Sequence, residues 1–158
     1  MINKGIEIAK INKCGLIQLK SDSDQKTYSF TSVLNQVDSL SNLFSEKGYM
    51  SNMRIATLLG SSPEHYILKL ALNKIGVSVV PINPDYTSDE TSYLLQDSDA
   101  VLVISSLNYV DQIKEAISYK KLDLKLAIYE DLESLPPNKS PAGKDTPVSP
   151  NTEASLLY

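Results

Sequence analysis

The sequence is short of the residues that usually carry chemistry. Its 158 residues include one cysteine, Cys14, and one histidine, His65. A single cysteine excludes an internal disulfide and any zinc site built from paired thiolates. No HExxH or paired-carboxylate motif appears. No GxSxG elbow presents a serine on a strand-to-helix turn, and neither the nucleotide-binding GxxxxGK(S/T) loop nor the GxGxxG fingerprint occurs. Fifteen basic residues against 19 acidic ones leave a net charge of -4, which gives no footprint for nucleic acid. No apolar run reaches the length of a membrane span. The opening residues, MINKGIEIAKINK, alternate apolar and polar types and lack the continuous apolar core of a signal peptide. The resulting expectation is a cytoplasmic protein.

What is present is an ordinary globular composition, 42% hydrophobic and 22% charged, in a chain long enough for one domain with a real core. The stretch 70–104, LALNKIGVSVVPINPDYTSDETSYLLQDSDAVLVI, organises the rest. Its two almost uninterrupted apolar runs, 77–80 and 100–104, have the pattern of strands buried on both faces of a parallel sheet. One helix joins them, giving a strand-helix-strand crossover.

The remaining elements add layers to that unit. Residues 5–12 read as a short strand or an arm, and 16–19 with 26–30 as a hairpin whose polar turn is 22–25. Ser29 or Thr31 caps a helix with Val33, Leu34, Val37, Leu40, Leu43 and Phe44 at helical spacing, ended by Gly48. A buried strand over 55–59 leads through Gly60, Ser61 and Ser62 to a helix that opens on Pro63 and Glu64 and stops at Gly76. Pro81 and Pro84 rule out continuation of strand or helix. Thr87 and Glu90 have capping-box spacing. A helix over 110–117 and a strand over 124–129 follow. The alternation predicts an α/β fold with a doubly wound, mostly parallel sheet and flanking helices over 1–135. PPNKSPAGKDTPVSP, 136–150, reads as an exposed proline-rich linker. ASLLY, within 151–158, reads as the start of a strand with no packing partner, the ending expected of a truncated chain.

No residue earns a catalytic, cofactor-binding or metal role on this reading. His65, in a helical first turn, reads as a partly exposed surface residue, because nothing around it supplies the geometry of a triad. Cys14 has no histidine or helix N-terminus beside it to lower its pKa, so it reads as inert. Asp22 and Asp24 invite calcium, but an EF-hand loop needs further ligands, a glycine and a closing glutamate at fixed spacing, and none follows. Ser62 fits a plain helix N-cap, with a phosphate contact at the strand-to-helix turn as the second reading.

The ordered series Thr27-Tyr28 before a helix, Ser62-Pro63-Glu64 after a strand, Gly76 followed by VSVVPINPDYT, and Gln96-Asp97-Ser98 before the next strand closely resembles the N-terminal region of the adenylate-forming, AMP-binding superfamily. That superfamily includes acyl-CoA synthetases, luciferases and the adenylation domains of peptide synthetases. The resemblance spans about 27–105 and continues more loosely to Tyr158. It implies an incomplete N-terminal portion of the synthetase large domain, ending just before a Gly, Ser and Thr-rich phosphate loop. The implied parent activates a small carboxylic acid with ATP and magnesium and passes the acyl group to CoA. NPDYT tilts the reading towards a CoA ligase over amino-acid adenylation. The residues that hold ATP and magnesium are not among these 158, so the chain itself is expected to be inactive and to miss the remainder of its own domain. A self-standing binding or regulatory module on the same scaffold, and an unrelated flavodoxin-like domain, are the competing readings. A sheet that normally packs against later parts of a larger domain leaves apolar helix faces uncovered, which favours aggregation. The isolated chain is therefore expected to be poorly soluble, and a sharp, reversible, high-temperature melt would contradict this.

Overall fold

In the computed structural model, which describes residues 14–21, 24–138 and 148–158, an antiparallel hairpin of β1 (Cys14–Ser21) and β2 (Asp24–Ser29) leads into α1 (Phe30–Glu46). The expected arm at 5–12, the turn residues 22–23 and the linker residues 139–147 lie outside the described residues, as do the side chains of Cys14, Asp22 and Asp24. Ser29 caps α1 by accepting from the Ser32 N–H.

Then come β3 (Arg54–Leu58), α2 (Pro63–Lys74), β4 (Ser78–Pro81), α3 (Ser88–Asp97), β5 (Leu102–Ser105), α4 (Val110–Tyr119) and β6 (Lys125–Ile128). These four strands form one parallel sheet in the order β4-β3-β5-β6. The continuous apolar runs have their cause in the two faces of this sheet. Ile55, Val77, Val79, Leu102 and Ile104 join Phe44, Leu68 and Leu72 in one core, against α1 and α2. Ala56, Leu58, Val80 and Val103 point the other way, with Leu94, Leu95, Ile113 and Ala116 of α3 and α4. Alternate residues of each strand thus enter opposite cores, which is what a doubly wound sheet requires. Each fully buried aliphatic side chain contributes on the order of 1.5–3 kcal/mol. A third cluster of Tyr28, Val33, Val37, Ile67 and Ala71 seats α1 on α2.

Three sequence expectations shift. The strand windows 55–59, 77–80, 100–104 and 124–129 move by one or two residues, because an apolar run marks burial and not where a ladder ends. Pro81 closes β4 opposite Thr57, inside the strand it was expected to exclude. The ladder passes it because the next donor, the Ile82 N–H, reaches the Thr57 carbonyl at 2.9 Å. The end of the chain also has a packing partner. Ser155 bridges Val79 in parallel on the outer edge of β4, and Leu156 lies half-buried against the second core.

The proline-rich stretch begins with docked residues. The Tyr49 hydroxyl donates to the Pro136 carbonyl at 2.8 Å, Lys125 Nζ donates to the Pro137 carbonyl at 2.8 Å, and Asn138 Nδ2 donates to the Gly48 carbonyl at 3.1 Å. Burial pushes the Tyr49 hydroxyl up to about 12. No helix among the described residues is long and apolar enough to cross a membrane.

Gly76 is the tightest point of the crossover. Its φ is +77°, and a Cβ there would lie 2.5 Å from Ser51 Oγ and 3.1 Å from Ser51 Cα. Gly76→Ala is expected to destabilise the fold by about 2–4 kcal/mol, combining a left-handed backbone penalty with overpacking. Urea denaturation measures it, and a loss below about 0.5 kcal/mol would remove the backbone argument.

Candidate functional site

The carboxyl ends of β3 and β4 open into a cleft of about 300 Å³ above the N-terminus of α2. Its floor is the turn Gly60-Ser61-Ser62, one wall carries His65, Tyr66 and Lys69, and Ile82 and Pro84 face them. In a parallel α/β sheet this end of the strands is where ligands bind. Strand β3 sends its helix to one face of the sheet and β5 to the other, so the topological switch lies between them. There Tyr109, in a 3₁₀ turn after β5, closes over Gly60. A Cβ on Gly60, whose φ is +67°, would stand 3.2 Å from the Tyr109 hydroxyl.

Ser62 caps α2, with its hydroxyl accepting from the His65 N–H at 3.2 Å. Glu64 in the first helical turn opposes the positive end of the helix dipole, and its carboxylate accepts from the Tyr28 hydroxyl at 2.9 Å. The helix end is thus already supplied with an acceptor and a negative charge. Of the two readings of this turn, the cap is the one the geometry displays.

His65 has partners that the sequence did not disclose. Its Nδ1 lies 3.0 Å from the Gly60 carbonyl oxygen and its Nε2 lies 2.9 Å from Thr57 Oγ1. A carbonyl only accepts, so Nδ1–H donates to it, and in the neutral ring Nε2 then accepts from the Thr57 hydroxyl. Burial lowers the His65 pKa most strongly and the Lys69 charge adds to this, against the opposing pull of the Gly60 carbonyl. Hydroxyl, imidazole and orienting carbonyl reproduce the spatial logic of an activated nucleophile. Thr57, however, is fully buried within β3, so no substrate reaches its oxygen. The pair works as a brace that ties α2 to the strand before it. The one hint in the sequence is a threonine inside the apolar run IATLL, at a position that faces α2.

A second, broad depression of about 540 Å³ runs along α1, where Ser32, Gln36 and Tyr129 meet. The Gln36 amide donates to the Ser32 carbonyl and hydroxyl. Burial, helped by the charge of Glu64, pushes Tyr129 up to about 12, so its hydroxyl stays protonated and is no base. Among the described residues no group of three or more His, Cys, Asp or Glu could hold a metal ion.

A family model described as AMP-binding enzyme matches residues 10–158. Among curated proteins, a crotonobetaine/carnitine–CoA ligase of Citrobacter koseri is 28% identical over 106 residues, covering 67% of this chain and 20% of the ligase. Among solved structures, the Mycobacterium tuberculosis fatty acyl CoA synthetase superposes with a TM-score of 0.72 at 18% identity, over 99% of this chain and 32% of that one. The McyG A-PCP complexed with phenylalanyl-adenylate gives 0.73 at 15% identity, over 99% and 26%. At such identities the likeness is one of fold. The chain spans about a fifth of the length of the curated relatives it matches.

The His65 brace has a pH signature. Its folded pKa lies below its ordinary value, so the unfolded chain binds the proton first, and stability falls as pH drops through the ordinary histidine range. Below the folded pKa that loss is complete. In His65→Gln this component is gone, so the drop in Tm between about pH 7.5 and pH 5.5 is expected to be smaller than in the parent. Thermal melts across that range decide it, and parallel slopes would show that the ring does not titrate with folding.

Proposed function

The chain belongs to the AMP-binding enzyme family, and on that premise we propose that it forms the N-terminal scaffold of an ATP-dependent carboxylic acid–CoA ligase that works through an acyl-adenylate. The support for a CoA ligase is the kinship with curated CoA ligases over two thirds of the chain. In that reaction the acid's carboxylate displaces pyrophosphate from ATP to form the acyl-adenylate, and the thiol of CoA then takes the acyl group as AMP leaves. A cytoplasmic setting goes with ATP and CoA as co-substrates.

The described residues offer no set that fits ATP and magnesium. Transfer at a phosphate needs preorganised donors and a cation. The described residues gather no metal-binding trio, and the α2 N-terminus has its cap and its counter-charge within the chain. No step of the reaction is assigned to a residue here. These residues supply the sheet, its turns and the cleft at its carboxyl edge.

Given ATP, magnesium and a panel of carboxylic acids, the purified 158-residue chain is expected to release no pyrophosphate above a protein-free control. Clear turnover would overturn the scaffold reading.

A further inference from the structure

The cleft and the α1 depression carry nothing beyond the site already described, whereas the last residues are held in a way that the four-stranded sheet does not require. Arg54, at the start of β3, donates through Nε and Nη2 to the two carboxylate oxygens of Glu153 at 2.8 and 3.1 Å. Its third nitrogen, Nη1, donates to the Ser98 carbonyl at the end of α3 at 3.3 Å. Beyond this fork the backbone-to-backbone bonds among the described residues run to Val79, and the Tyr86 hydroxyl donates to the Tyr158 carbonyl at 3.4 Å. The Val79 N–H donates to the Ala154 carbonyl at 3.2 Å, and the Leu156 N–H donates to the Val79 carbonyl at 3.1 Å. Asn73 Nδ2 adds a donor to the Ala154 carbonyl at 2.8 Å, and the Tyr158 hydroxyl donates to Asp97 at 2.7 Å.

A single bridge sets position weakly, and here register has consequences. Leu156 is half-buried against the second core while Leu157 is 72% exposed. A slip of one residue would exchange them. A planar, two-pronged guanidinium–carboxylate pair is the interaction best suited to forbid that slip, because it fixes direction as well as distance. Docking also leaves the Ser155 hydroxyl oxygen buried with no hydrogen-bond partner among the described residues, a penalty relieved when the segment leaves.

We propose that Arg54 and Glu153 form a latch that sets the register of residues 153–158 on the outer edge of β4, and that this segment is a strap able to leave the sheet as a unit while the four strands stay paired. Both latch side chains are partly exposed and open to solvent competition. Strands β3, β4, β5 and β6 have their own ladders, none of which involves the strap. Departure of the strap uncovers the edge of β4, a row of donors and acceptors competent to pair with another strand. This inference concerns the fold of the chain and stands whether or not the ligase reading does.

Residue-resolved hydrogen exchange on the full 158-residue chain tests it. In the parent, the Val79 and Leu156 amides are expected to exchange faster than those of Ile82 and Ser106, which donate to Thr57 and Leu58 inside the four-stranded sheet. Glu153→Gln is expected to raise exchange at Val79 and Leu156 about two- to five-fold and to leave Ile82 and Ser106 unchanged. Combining Arg54→Glu with Glu153→Arg rebuilds the pair in reverse and is expected to restore protection. Unchanged exchange at Val79 and Leu156 in Glu153→Gln would overturn the latch. An equal rise at Ile82 and Ser106 would overturn the separate release of the strap.

Discussion

Strand β3 has fully buried side chains at Ile55, Ala56, Thr57 and Leu58, and a neighbouring strand on each edge. With no water on either face, every backbone donor and acceptor of that strand must find a partner in the chain. β4 supplies one row and β5 the other, and the pairing continues past the strand ends. The Arg54 carbonyl accepts from Val101, that of Thr57 from Ile82, and that of Leu58 from Ser106. Parallel neighbours cannot be joined by tight hairpins, so each satisfied edge of β3 demands a crossover helix. Two buried faces demand that those helices divide between them. The disposition of α2 against one core and α3 and α4 against the other follows from the polar requirements of these residues.

The turns then determine what the carboxyl edge can present. Helix α2 is bounded by the Ser62 cap at one end and left-handed Gly76 packed on Ser51 at the other. Helix α3 begins at a capping box in which Thr87 and Glu90 satisfy each other's backbone donors. Between these fixed points the segments 59–62 and 82–87 have little freedom, and they shape the cleft. Its polarity is modest because its polar groups are largely spent on holding the walls: Ser62 and His65 bond within the turn, and Gly60 accepts the imidazole proton. The polar side chains left on its lining are Ser61, Tyr66 and Lys69.

The parts of this fold that were legible in the sequence are those governed by local period and composition. The apolar runs, the cap at Ser62, the box at Thr87 and Glu90, and the glycines at 48 and 76 all act within a few residues of themselves. The parts that were not legible depend on pairs far apart in the chain. Thr57 and His65 are eight positions apart, but their contact depends on the angle of the Gly60 turn. Tyr49 and Pro136 are 87 positions apart, and Arg54 and Glu153 are 99. Nothing local distinguishes an arginine that forks a distant glutamate from one that faces water. Pro81 misled for a related reason. The rule against proline concerns its missing N–H, and at the end of β4 the next residue supplies the donor.

The same distinction bears on what this portion of an AMP-binding enzyme can encode. Its fold is shared with a fatty acyl CoA synthetase and with an A-PCP bound to a phenylalanyl-adenylate, at nearly equal likeness. Likeness of that kind establishes a shared fold and does not carry a substrate with it. Among the described residues, Thr57 with His65 has the form of a reactive pair, but the threonine is fully buried in the sheet and both side chains use their hydrogen bonds internally. Buried, satisfied polar groups of this sort add rigidity. The hydrogen bonds of Thr57 and His65 are therefore consumed in fixing the carboxyl edge of the sheet.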